Sequence, residues 1–130
     1  MGERAWIPPP AVLVGRYWLP VVAYLAVVQF LGAQQDLSLP MLFPNVDKVV
    51  HVLEYAGLGA LLARALRVTL GVPAPIRTAM LALGLGLCMG AADEFIQSFF
   101  PGRMSSVNDL LADVTGLLFA QVVFLLVVRD

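Results

Sequence analysis

Charge is scarce in this chain. Of its 130 residues, 8 are Lys or Arg and 9 are Asp or Glu, a charged fraction of 13%, where soluble domains carry about 25%. A soluble domain of this size has too much surface for so few charges, because the fraction buried on folding grows only with size. A soluble enzyme is therefore excluded. A basic surplus is also missing: the net charge is −1, and a nucleic-acid-binding face needs clustered Lys and Arg against the phosphates. Nucleic acid is not an expected partner. Cysteine is limited to Cys88, which excludes a disulfide framework and a thiolate zinc site. Apolar length is what the chain has. It is 60% hydrophobic with a mean hydropathy of +0.87, so the expectation is an integral membrane protein with the lipid bilayer as its first partner.

The spans follow from uncharged runs and breakers. Tyr17 to Gln35 carries no charge, and at 1.5 Å per residue it nearly matches the roughly 30 Å hydrocarbon core. A first helix is predicted over 17–34, with Pro20 in its first turn, where a missing N–H does no harm. Arg16 ahead of this run raises a signal peptide cut near Gly32-Ala33-Gln34, but the run is too long for one and further spans follow, so it reads as retained. Trp6 stands where a myristoylation signal requires Ser or Thr. Pro40, Pro44 and Asn45 break the chain, and the apolar residues around them suit an interfacial loop. Later helices are predicted over 47–70, 76–100 and 107–128, ended by Pro73 and Pro75 and by Pro101-Gly102. The fold class is an all-α integral membrane bundle of four transmembrane helices, with 1–130 as a single domain. With the N-terminus inside, the cytoplasmic ends carry Arg4, Arg16, Arg64, Arg67, Arg77 and Arg129, and the outer ends only Lys48 and Arg103. That asymmetry predicts that both termini are cytoplasmic.

On this orientation the ionisable groups gather at the outer ends. Asp47, His51 and Tyr55 fall at i, i+4, i+8; Gly90, Glu94 and Gln97 at i, i+4, i+7; Asp109, Asp113 and Gly116 at i, i+4, i+7. Charged stripes in lipid must face one another or water, so three helices are expected to turn them toward one interior. The candidate working groups are His51, Glu94 and Asp109. Blander roles stand beside these. Asp47 suits a helix cap, and Ser106 with Asp109 reads as a capping box. Arg103 either pairs with Glu94 or Asp109 or meets a ligand. One of Asp93 and Glu94 is expected to bond a helix end. Gly57, Gly59, Gly84, Gly86 and Gly90 suit close helix contact, and Cys88 suits packing.

The collected residues resemble the VanZ-like family. Asp47-Lys48-Val49-Val50-His51 with Tyr55 is similar to its D-K-x-x-H-x-x-x-Y motif. Asp93-Glu94-Phe95-Ile96-Gln97, Pro101-Gly102-Arg103, Ser106, Asp109 and Gly116 are similar to its D-E-x-x-Q…P-G-R-x-x-S-x-x-D…N-x-x-G signature. The match covers 47–117 in order, with one departure, Asp113 in place of Asn. The resemblance implies a single VanZ-like transmembrane domain in the bacterial cytoplasmic membrane, and a connection to the cell envelope and to resistance to the glycopeptide teicoplanin. It also implies that Asp47, Lys48, Tyr55, Asp93, Gln97, Arg103, Ser106 and Asp113 belong to the site.

Three functions are consistent with these residues. The first is an outward-facing polar site that binds or processes an envelope component, lipid-linked or anionic. Two carboxylates, an imidazole and a guanidinium are the parts used in acid–base work on such a head group. A divalent cation held by Asp47, His51, Glu94 and Asp109 is chemically compatible with that site. The second is a non-catalytic scaffold whose polar cluster locks helices and recognises a partner. The third, a transporter, lacks inner-half polar residues for a path. The pattern does not specify an oligomeric state.

Overall fold

The computed structural model describes residues 6–34, 42–71, 74–102 and 106–128, and the regular structure among them is all helical. Four helices are long and apolar enough to cross a membrane: α1 (Pro10–Ala33), α2 (Val46–Leu70), α3 (Pro75–Gln97) and α4 (Val107–Val127).

The first helix begins at Pro10, well before the expected Tyr17. Proline fits the first helical position, where no N–H is needed, and Arg16 near a helix end can reach the interface along its own stem. Pro20 therefore lies inside a helix rather than in a first turn. A proline there removes one bond and crowds the carbonyl four residues back. The chain answers with a π segment over Leu13–Trp18, closed by a bond from the Leu19 N–H to the Val14 carbonyl. A wide turn of this kind is a recognised way to absorb such a misfit.

The other ends have local causes. Asn45 adopts the left-handed region at φ 62° ahead of α2, and Gly71 does so at φ 59° behind it, the usual glycine stop. α3 opens on Pro75 and ends at Gln97, short of the expected Phe100. The N–H groups of Phe99 and Phe100 turn back to the carbonyls of Ile96 and Gln97, and Gly102 at φ 83° completes the reversal. Ser106 caps α4 by accepting the Asn108 N–H at 3.0 Å.

α2 and α4 run parallel at the centre of the bundle. A Cβ on Gly116 would stand 2.2 Å from the Val52 carbonyl oxygen, so only glycine permits this approach. Further along, the Gln121 amide donates to the Gly59 carbonyl at 3.1 Å. α3 runs antiparallel to both and receives Leu117 against Gly86. α1 is antiparallel to α2: the Trp18 indole donates to Thr69 Oγ at 2.9 Å, and the Tyr24 hydroxyl donates to the Glu54 carbonyl at 2.9 Å. Tyr55, Leu58, Leu62, Leu117 and Val21 fill the core. Phe30, Met80, Phe95 and Phe119 are exposed on the outside, as lipid-facing side chains are. Cys88 is exposed with them, not packed inside as expected. These pairings put the Pro10 end of α1 and the Val127 end of α4 together, away from the start of α2.

Candidate functional site

The polar residues lie at the end of the bundle where α2 and α4 start and α3 finishes. Its outermost layer is an ion pair network. The Lys48 ammonium bonds Asp47 Oδ2 at 2.8 Å and also reaches Asp109 Oδ1. Asp47 is largely exposed there, where an ion pair contributes little to stability. One turn deeper, His51 Nδ1 meets Asp113 Oδ1 at 2.8 Å, and the Asp113 side chain is only 1% exposed. Beneath the pair, Asp93 is buried. It accepts the Gln97 amide at 2.9 Å and faces the Tyr55 hydroxyl at a long 3.5 Å.

Glu94 differs from all of these. Both its carboxylate oxygens are buried, and among the described residues neither has a hydrogen-bond partner; Asp113 Oδ2 is in the same condition. Buried polar atoms are nearly always satisfied, and an unmatched carboxylate inside a membrane bundle is among the most expensive exceptions. His51, Glu94 and Asp113 each offer one metal-ligating atom, all within 4.8 Å of one another. A small cleft of about 170 Å³, lined by Glu94, Ser106, Val107 and Leu110, opens beside them between α3 and α4. Among the described residues, larger hollows against Ala60 and Phe119 and at Ile76 and Met80 contain none of these acids.

Helical phase thus assembles most of the expected residues, in a different grouping. His51 and Glu94 come together with Asp113 as a tight set of donors, while Asp109, nearer the outer layer, has its carboxylate bonded by Lys48. The four-ligand set Asp47, His51, Glu94 and Asp109 does not form, because Lys48 also engages Asp47. Asp47 does not act as a side-chain cap; Asn45 holds that position. Ser106 caps α4, but Asp109 does not complete a box with it. Asp93 bonds side chains rather than a helix end. Of the glycines, Gly84 has open space around it. Arg103 lies outside the described residues.

Two polar positions escaped the sequence reading. Gln121 is 4% exposed in the inner half of α4, and Thr78 is fully buried in α3, so the inner half is not devoid of polar groups. A signal existed: continuing the Asp109 and Asp113 stripe by fours leads through Leu117 to Gln121. An uncharged amide does not interrupt an apolar run, and so it passed unseen.

A family model described as VanZ/LLP1 matches residues 12–128, which takes in nearly all of the four helices and every described residue of the cluster. No curated protein and no solved structure matches the chain.

Proposed function

Because the chain belongs to the VanZ/LLP1 family, we propose that its cluster is an outward-facing site that binds or processes a cell-envelope component, a lipid-linked or anionic one. The excess of basic residues at the opposite ends of the helices supports the outward orientation, and with the family it supports a multi-pass protein of a bacterial cytoplasmic membrane. One observation carries the reading. Glu94 lines a cleft whose other walls are Ser106, Val107 and Leu110, and its carboxylate oxygens are unengaged among the described residues. Phe95, Phe99 and Val107 are exposed nearby. A molecule arriving from the bilayer meets apolar walls first and the carboxylate at the end. His51 and Asp113 beside it are groups suited to moving a proton. Sensitivity to glycopeptides such as teicoplanin is the phenotype this reading makes worth measuring.

The test is the lipid that travels with the protein. Wild type purified in detergent from its own membranes is extracted, and the lipids are identified by mass spectrometry. A lipid-linked envelope precursor enriched over bulk lipid, and lost from Glu94→Gln and from Leu110→Trp, is the expected result. Bulk lipid alone in all three samples overturns the reading.

A second reading has its own observation. Lys48 with Asp109, His51 with Asp113 and Tyr55 with Asp93 each join two helices, as a helix-locking scaffold would. Glu94 separates the readings, since it joins nothing among the described residues.

A further inference from the structure

We propose that His51, Glu94 and Asp113 hold one divalent transition-metal ion of the zinc or manganese kind. Three helices deliver the donors. His51 comes from the second turn of α2, Glu94 from the last turn of α3 and Asp113 from the second turn of α4. Their ligating atoms lie within 4.8 Å of one another. Two ligands on one tetrahedral ion stand about 3.4 Å apart for metal–ligand bonds near 2.1 Å, so the widest pair must draw together by up to roughly 1.4 Å, a movement shared between two side chains.

Acids in proximity do not make a site. The independent observation is the unpartnered oxygen of Asp113, on a side chain 99% removed from solvent, together with both oxygens of Glu94. The neighbouring acids are already engaged: Asp47 and Asp109 by Lys48, Asp93 by Gln97 and Tyr55. Only these three are buried carboxylate oxygens without a hydrogen-bond partner among the described residues, and the two side chains that carry them stand beside the one imidazole in the chain. An ion is the partner that satisfies them together.

The donor types select the ion. Calcium takes six to eight oxygens and magnesium a near-octahedral oxygen set, whereas imidazole favours zinc and its neighbours, and carboxylate also suits manganese. One nitrogen and two carboxylates fit zinc or manganese. Three protein ligands leave a coordination position open, as catalytic zinc sites do. Resting on the functional reading above, that position would accept the phosphate or carboxylate of an envelope ligand entering beside Glu94. A cation also resolves a contradiction of charge, because an acid-rich site would otherwise repel an anionic head group.

The experiment uses the full chain in detergent, stripped with a chelator and titrated with Mn²⁺ while free Mn²⁺ is followed by electron paramagnetic resonance, with Zn²⁺ as competitor. One saturable site per chain is expected, with affinity reduced by more than about tenfold in Glu94→Gln and in Asp113→Asn, since even outer-sphere partners carry about 10–100-fold. Thr115→Val, on the exposed face of α4, should bind as wild type. No saturable site in wild type, or both acid variants binding unchanged, overturns the proposal. Should either acid variant elute as aggregate, pulsed resonance on the wild type decides: nitrogen coupling from His51 to bound Mn²⁺ supports the site, and its absence refutes it. Wild type that shows no saturable metal site yet carries the enriched envelope lipid sinks this inference alone. Metal bound without that lipid leaves the ion standing and removes the functional reading.

Discussion

His51 Nδ1 stands 2.8 Å from Asp113 Oδ1, and this contact ties the second turn of α2 to the second turn of α4 in the most buried part of the polar cluster. Removing one partner of a buried pair strands the other, which costs more than the pair contributes. Asp113→Ala is therefore expected to destabilise the metal-free protein by about 2–4 kcal/mol. His51→Leu together with Asp113→Leu should cost clearly less than the sum of the single changes. Thermal unfolding in detergent across the four proteins measures this; additive losses would show that the two side chains do not depend on one another.

Close approach of α2 and α4 makes a second prediction. A Cβ at Gly116 would lie 2.2 Å from the Val52 carbonyl oxygen and 2.8 Å from the Ala56 nitrogen, both backbone atoms that cannot step aside. Gly116→Ala should separate the helices and lower stability by about 1–3 kcal/mol or more. Gly84→Ala, with nothing within 4 Å of the new carbon, should be neutral or slightly stabilising through helix propensity. Equal melting temperatures for the two variants would refute the packing argument.

Orientation gives a third. Gly71 follows α2 and Gly102 lies in the turn between α3 and α4, so they belong to opposite sides of the membrane. Reporter fusions should read cytoplasmic at Gly71 and external at Gly102, by the basic asymmetry of the flanks. The reverse pattern would place the cluster on the cytoplasmic side and remove the envelope reading.

How much of this was legible in the sequence depends on which force decided each feature. Helix number and the shared end of the polar stripes follow from hydrophobic length and a 3.6-residue period, and both are local. The start of α1 was not legible, because Pro20 looks like a first-turn proline until a π segment is known to accommodate it. The grouping of the acids was not legible either. Asp109 and Asp113 share a face, and periodicity cannot say which of the two meets His51. That choice is made by Lys48, whose long flexible stem reaches across to Asp109 and leaves the deeper Asp113 to the imidazole. Gln121 was missed because an amide does not register as a break in an apolar run.

Glu94 gives the last prediction, and it separates a working residue from a scaffolding one. A side chain kept for stability should lose stability when replaced. Glu94 has two buried oxygens with no hydrogen-bond partner among the described residues, and an unsatisfied buried polar group costs about 1–3 kcal/mol, more when charged. Glu94→Gln keeps the shape, reduces the charge and supplies an amide donor. In chelator it should therefore melt at or above the wild-type temperature while losing envelope-lipid enrichment, the stability–function opposition expected of a site residue. Added Mn²⁺ or Zn²⁺ should reverse the order. A ligand that binds only the folded state stabilises it by RT ln(1 + [L]/Kd), about 2.7 kcal/mol at a hundredfold excess over Kd, and a variant weakened more than tenfold gains at least about 1.3 kcal/mol less. The crossing of the two melting curves is the measurement. A Glu94→Gln protein that melts lower than wild type in chelator, and gains as much from metal as wild type does, would make Glu94 a structural residue and the scaffold reading the better one.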